Sequence, residues 1–353
     1  MREVEISRIA YGGAGIGRLD GKVVFVPYTV PGERVGVRVV REQKRHSEAE
    51  LVQLLEPAPE RRTPRCEVFG KCGGCAYQHV DYAVQLEWKT AQVRDLLQRV
   101  GKLTDAPVEK ALPSPLEWGF RNRIRVHARD GRIGFYGKNG HQIVDVHECA
   151  IASADVNEAL LKLRSSRPEP GEYTLSGRGS VRFFEQTNDG AAALLSALVE
   201  DIVGSGRGTL VDAYSGAGFF GRRLAPRFEA VIGIESHEGA VGAARRRAGE
   251  KERYICGDVA EHLGGVLETV DRARSVVLLD PPAAGVAARV TDLLTALPVE
   301  TVVYVSCDPA TQARDLGFLV RGGYQLERVI PVDMFPQTAD IEVVAVLRCP
   351  PKA

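Results

Sequence analysis

Cys307 closes the apolar run Thr301-Val302-Val303-Tyr304-Val305-Ser306 and is followed by Asp308-Pro309. The run is short and β-branched, which predicts a buried parallel strand. Asp308-Pro309 stops that strand, and Ala310 to Val320 reads as a helix. A cysteine between a strand's carboxyl end and a helix's amino end lies at the ligand crevice of an open α/β sheet. The helix amino end would favour the thiolate, the nucleophilic form. Taken alone, a cysteine is more often a small buried hydrophobe. A second group of thiols stands apart from it: Cys66, Cys72 and Cys75 fall within ten residues, and Cys149 comes later. Such spacing can wrap a metal, and by count four thiolates suit zinc and an iron–sulfur cluster equally. Cys256 and Cys349 read as bystanders.

A further constellation points to a cofactor. Thr209-Leu210-Val211 predicts a strand ending in Asp212, and Ala213 to Gly221 forms a loop before a helix. Gly216-x-Gly218-x-x-Gly221 matches the dinucleotide pattern, a weak signal by itself. Asp212 would repel a pyrophosphate there but not a sulfonium amino acid. Glu235 ends the next strand, where it can accept both ribose hydroxyls, and Asp258 follows the third, where it can read an adenine edge. Together these residues favour S-adenosylmethionine over nicotinamide. Asp280-Pro281-Pro282 ends the fourth strand, with a carboxylate facing the methyl group and the substrate. That tripeptide resembles the adenine-N6 methyltransferase signature, but Ala283 replaces the aromatic that follows there.

Charge directs attention to local patches. Lys+Arg 46 balance Asp+Glu 46, so no gross excess points to nucleic acid. Phe120 to Arg129 alternates basic with mostly apolar residues, and on a strand Arg121, Arg123 and Arg125 would share one face. Such a stripe suits phosphates or an extruded base. The amino terminus has no signal-peptide character, and no apolar run approaches membrane-spanning length. Seven cysteines without a secretory signal point to a reducing compartment, hence the cytoplasm, with no membrane partner.

The elements that must position these groups fall into three parts within 353 residues. Residues 1–57 alternate short β runs with glycine turns and predict an OB-like barrel, a type that often binds oligonucleotides. Residues 58–175 form a β-rich central domain with the cysteine-rich segment, after a Pro-rich linker at 57–64. It includes an amphipathic helix from Val84 to Val100, able to pack on the catalytic domain, and a helical stretch from Ser153 to Leu163. In residues 176–353, apolar runs alternate with helical stretches, and Ile341 to Arg348 adds a final strand. The predicted class is α/β, a Rossmann-like doubly wound domain behind a barrel and a β-rich middle.

Ser306-Cys307-Asp308-Pro309-Ala310-Thr311, with Asp333 to Glu342 behind it, resembles the RNA uracil-C5 methyltransferases. Phe184-Glu185-Gln186-Thr187-Asn188 resembles that family's Phe-x-Gln-x-Asn element, and the barrel resembles a TRAM domain. The four cysteines are similar to the iron–sulfur motif of the ribosomal-RNA branch. The resemblance spans essentially the whole chain. It implies Cys307 as nucleophile, Glu342 as the base that removes the C5 proton, and Gln186, Tyr214, Glu235 and Asp280 as contacts of the methyl donor. Gly216 and Asp258 join that set from the glycine loop and the third strand. It implies a [4Fe–4S] cluster on Cys66, Cys72, Cys75 and Cys149. It further implies a uridine of 23S ribosomal RNA as substrate, with the T-loop uridine of transfer RNA as the alternative, and a monomer. Ala283-Ala284 stands where relatives often carry arginine, and Phe219 where some carry a polar residue. Two other readings are a non-catalytic iron–sulfur RNA-binding protein and an RNA cytosine-C5 enzyme. The joint presence of Cys307, Glu342 and Gln186 argues against the first, and Glu342 at the last strand against the second.

Overall fold

The structure is a computed structural model and describes all residues except 139, 141, 178–185, 206 and 351–353. Phe184 and Glu185 of the Phe-x-Gln-x-Asn element lie outside the described residues.

The first five strands are β1 (Arg2–Ile9), β2 (Ala14–Leu19), β3 (Lys22–Pro27), β4 (Arg34–Glu42) and β5 (His46–Glu56). They close into a barrel in the order β1-β2-β3-β5-β4. Val4, Ile6, Val24, Val26, Val35 and Val37, at every second position of their strands, fill its interior. The predicted linker is anchored to it, because Arg61 pairs with the buried Glu33 and donates to the Tyr28 carbonyl.

The middle of the chain begins with α1 (Tyr82–Leu96), whose last turn widens into a π turn over residues 97–101. The sequence predicts an amphipathic helix here, and a helix forms, but much of its buried face is polar. Gln85, Lys89 and Gln92 are all buried. The reason is tertiary: this face meets a polar loop of the catalytic domain, described below. β6 (Arg123–Arg129), β7 (Arg132–Tyr136), β8 (Ile143–Asp145), α2 (Ala154–Ser165) and β9 (Gly171–Ser176) follow. The strands form an antiparallel sheet, β8-β7-β6-β9. Ile124, Val126 and Ala128 pack inward against Val156 and Leu160 of α2.

The rest alternates α3 (Asp189–Val203), β10 (Arg207–Ala213), α4 (Phe219–Leu224), β11 (Phe228–Glu235), α5 (Glu238–Arg247), β12 (Glu252–Cys256) and α6 (Val259–Thr269). It continues with β13 (Val276–Leu279), α7 (Ala288–Ala296), β14 (Thr301–Ser306), α8 (Pro309–Arg321), β15 (Gln325–Val332) and β16 (Glu342–Arg348). The seven strands order as β12-β11-β10-β13-β14-β16-β15, with helical layers packed on the sheet. β10 to β14 run parallel and carry near-continuous apolar runs, as strands covered on both faces do. The last strand is not an edge. β16 inserts antiparallel between β14 and β15, with Ser306 opposite Val343. Among the described residues, no helix is long and apolar enough to cross a membrane.

Candidate active site and cysteine cavity

Cys307 sits between β14 and α8, exposed at the carboxyl end of the sheet. Asp308 caps the helix, its Oδ1 accepting from Ala310 N at 2.9 Å and Thr311 N at 2.8 Å. Those N–H groups are therefore spent on a carboxylate. Burial, then the nearby Glu342 and Asp280 carboxyls, push the Cys307 thiol up to about 11. This corrects the expectation of a thiolate favoured by the helix end. In the ligand-free chain burial, with the surrounding carboxyls, outweighs the dipole.

Glu342 opens β16 and is 4% exposed. The register that sets Ser306 opposite Val343 delivers it beside Cys307. Burial, with Asp280 and Asp340 nearby, holds its carboxyl well above the usual range. The loop leading to it, residues 333–341, is pinned at several points. Lys89 Nζ of α1 donates to Asp333 Oδ1 at 2.6 Å and to the Phe335 carbonyl at 3.0 Å, and both charged side chains are fully buried. Asn188 Nδ2 donates to the Met334 carbonyl at 3.0 Å. Gln85 and Gln337 bond reciprocally, and Ala76 N and Tyr77 N donate to the Gln337 carbonyl. Gln337 has φ +70°, a conformation that survives only where neighbours over-determine it. These contacts explain the polar face of α1. Sequence reasoning missed Lys89, Asp333 and Gln337, because their partners lie more than two hundred residues away in the chain.

The glycine loop follows β10. Asp212 is buried, and its Oδ2 accepts from Gly221 N at 2.8 Å, holding the loop to the start of α4. Its Oδ1 and the Ser215 hydroxyl have no partner among the described residues. Burial pushes Asp212 up to about 8 and Asp280 up to about 7. Glu235 accepts from Gly216 N at 3.0 Å, from His237 N at 2.7 Å and from the Ser236 hydroxyl at 3.3 Å, so it braces the loop. Gly216 has φ +53°, and the space where a Cβ would stand is empty within 4 Å. Tyr214 has φ +66°, and burial, with Asp258 and Asp315 nearby, pushes its phenol up to about 12. Asp258 caps α6 through Ala260 N, at 2.7 Å. Gln186 is half-buried, and its carbonyl accepts from Asn122 Nδ2 at 3.0 Å. The cleft thus gathers the buried Asp212, the half-buried Glu235 and Asp280, an open glycine cradle and an aromatic ring. An adenosyl group carrying a sulfonium and an ammonium fits that donor set.

Cys66, Cys72, Cys75 and Cys149 all face one cavity of about 200 Å³, together with Phe69, Arg121 and Ile124. Burial pushes Cys75 up to about 12 and raises Cys72 and Cys149, and the thiols add to one another's shift. Among the described residues, no three side chains come close enough to hold a single metal ion. The basic stripe is only partly as expected. β6 begins at Arg123, so Arg121 precedes the strand and its Nε donates to the Arg123 carbonyl at 3.2 Å. Arg125 and Arg129 are exposed on the same face as Arg123, and Arg125 approaches Glu172 at 3.4 Å.

The chain matches the TRAM domain over residues 1–52 and the tRNA (Uracil-5-)-methyltransferase family over residues 265–349. It is 31% identical to the uncharacterized RNA methyltransferase sll1967 of Synechocystis sp., covering 98% of this chain and 95% of that protein. The RNA methyltransferase gll3134 of Gloeobacter violaceus is 32% identical over the same shares. Among solved structures, it resembles the Pyrococcus abyssi tRNA (uracil-54, C5)-methyltransferase bound to S-adenosyl-L-homocysteine. The identity is 25%, the TM-score 0.71, and 98% of this chain and 100% of that one are covered.

Proposed function

Since the chain belongs to the RNA uracil-C5 methyltransferases, enzymes that use S-adenosylmethionine, we propose that it methylates C5 of one uridine through a covalent bond from Cys307 to C6. The observation that carries the reading is the pairing of β14 with β16, which puts a thiol and a carboxyl at one end of one sheet, beside Asp280. Uracil C5 is a poor nucleophile. Addition of the Cys307 thiolate to C6 moves the C5–C6 π electrons toward C5 and O4, as an enolate. S-adenosylmethionine, when bound, supplies an electrophilic methyl group for C5. Glu342 then takes the C5 proton, the C5–C6 double bond re-forms, and the C6–S bond breaks to release Cys307. Positive charge in the cleft would lower the raised carboxyl and thiol values toward their reactive forms. Asp212, Tyr214, Gly216, Glu235, Asp258, Asp280 and Gln186 are the residues that would hold the donor. Because uracil stacked in RNA hides its ring faces, the target must be extruded.

The cysteine cavity would hold a [4Fe–4S] cluster, with a structural or RNA-positioning role, since Cys307 and Glu342 account for the chemistry without redox. Its similarity to the ribosomal-RNA branch favours 23S ribosomal RNA. The second reading, a transfer-RNA T-loop uridine, is favoured by the likeness to the Pyrococcus abyssi enzyme along almost the whole chain. The protein would act as a monomer in the cytoplasm, with Arg123 and Arg125 near the RNA backbone and Arg121 beside the cluster. Mass mapping of ribosomal and transfer RNA from a strain lacking the gene tests the function. One 5-methyluridine should disappear, return with the wild-type gene, and stay absent with Cys307→Ala. Restoration by Cys307→Ala would refute the covalent mechanism.

A further inference from the structure

We propose that Tyr11, carried by the first turn of the barrel, forms a wall of the pocket that receives the target uracil, so that the barrel completes the active site. The inference rests on the reading of Cys307 as the nucleophile toward uracil. The turn joins β1 to β2 and is closed by Ala10 N to Ala14 O at 2.8 Å and Gly13 N to Ala10 O at 3.0 Å. It is seated deeply. Gly13 has φ +89°, and a Cβ there would meet Ala76 Cβ at 3.0 Å, the Tyr77 ring at 3.2 Å and Ala339 Cβ at 3.4 Å. The turn is therefore wedged between the cysteine segment and the loop that leads to Glu342. A larger residue at Gly13 would lift it off both.

That seating carries Tyr11 across the domain boundary. Its ring packs against the core of the catalytic domain, away from the barrel's own interior. Its phenol lies near the Asp308 and Asp340 carboxylates and the Cys307 thiol. Asp308 Oδ1 accepts from Ala310 N and Thr311 N, so the carboxylate beside the phenol is fixed. Burial and the neighbouring carboxylates raise the phenol above its ordinary value, which keeps it a neutral donor. The ring remains only half-buried, beside an exposed thiol. A base that presents C6 to that thiol has left its stacking partners in the RNA, and an aromatic side chain can replace them. A ring packed against that core is held before the base arrives, so little conformational freedom is lost on contact.

The test uses the full-length protein, S-adenosylmethionine, and whole RNA from cells lacking the gene. Tyr11→Ala should lower kcat/KM for RNA about 5- to 150-fold, mainly through KM, the range expected for losing one base–aromatic stack. S-adenosylmethionine affinity and melting temperature should be unchanged. Tyr11→Phe keeps the ring and should restore most of the loss. Wild-type KM in Tyr11→Ala would overturn the inference. So would a Phe variant as poor as the Ala variant, or a loss that tracks melting temperature, because either would make Tyr11 a docking contact only. If wild-type protein methylates no uridine, or Cys307→Ala does, the catalytic reading fails. If both behave as expected while Tyr11→Ala is unimpaired, only the role of Tyr11 falls.

Discussion

Glu342→Gln separates the two halves of the proposed reaction. The side chain is 4% exposed, and the replacement has nearly the same shape, so packing is kept. The change removes one carboxyl from a crowded group. After burial, Glu342 is the first of the carboxyls that raise the Cys307 thiol to about 11, so a neutral amide in its place does not raise that value and addition to C6 is not impaired. What is lost is proton removal from C5. A general base contributes ~10²–10⁴-fold, and resolution should slow by that factor. An unimpaired first half and a crippled second half predict accumulation of the intermediate. On unmodified natural RNA, the variant should form an RNA–protein adduct that survives denaturing electrophoresis. The adduct should carry label from methyl-labelled S-adenosylmethionine and vanish in Glu342→Gln/Cys307→Ala. Wild-type turnover without adduct would show that Glu342 is a strand-end carboxyl and that the base lies elsewhere.

Lys89→Met leaves Asp333 buried and unpaired, which should cost ~3–5 kcal/mol in urea unfolding; Lys89→Met/Asp333→Leu should cost less, and a double variant no better than the single would refute the pairing. Asp212 and Asp280 have folded values of about 8 and about 7, above their unfolded ~3.9. Their contribution to stability is therefore full below pH ~4 and lost as pH rises through about 7 to 8. Melting of the ligand-free enzyme should fall less steeply over that interval in Asp280→Asn, while wild-type affinity for S-adenosylmethionine rises with pH and binding releases protons. A pH-independent affinity would contradict the cation-receiving cleft. Protein purified without oxygen should be brown, with iron and sulfide in equal amounts, and Cys72→Ser or Cys149→Ser should remove both. A colourless preparation with stoichiometric zinc would refute the cluster.

The residues proposed to do chemistry were legible as candidates because their signals are local. The strand before Cys307 is a β-branched run ended by Asp-Pro, and the cysteine triplet is close in sequence. The alternation of apolar runs with helical stretches predicted every parallel strand of the catalytic sheet near its observed place. The helix before Gly101 was foreseen, but its buried polar face was not, because Gln85 and Lys89 look like surface residues until Gln337 and Asp333 are set against them.

The sequence by itself determined residue chemistry and the class of each element, since side-chain period, β-branching and proline act within a few residues. Tertiary structure alone decided register and charge. Only the insertion of β16 between β14 and β15 brings Glu342 to Cys307. Only burial among Asp280, Glu342 and Asp308 turns a cysteine beside a helix end into a thiol raised to about 11. Only the docking of the barrel's first turn sets Tyr11 near Cys307. The physical reason is common to all three. Pairing register, desolvation and contact between distant segments depend on distance in space, and nothing in a local window of sequence measures it.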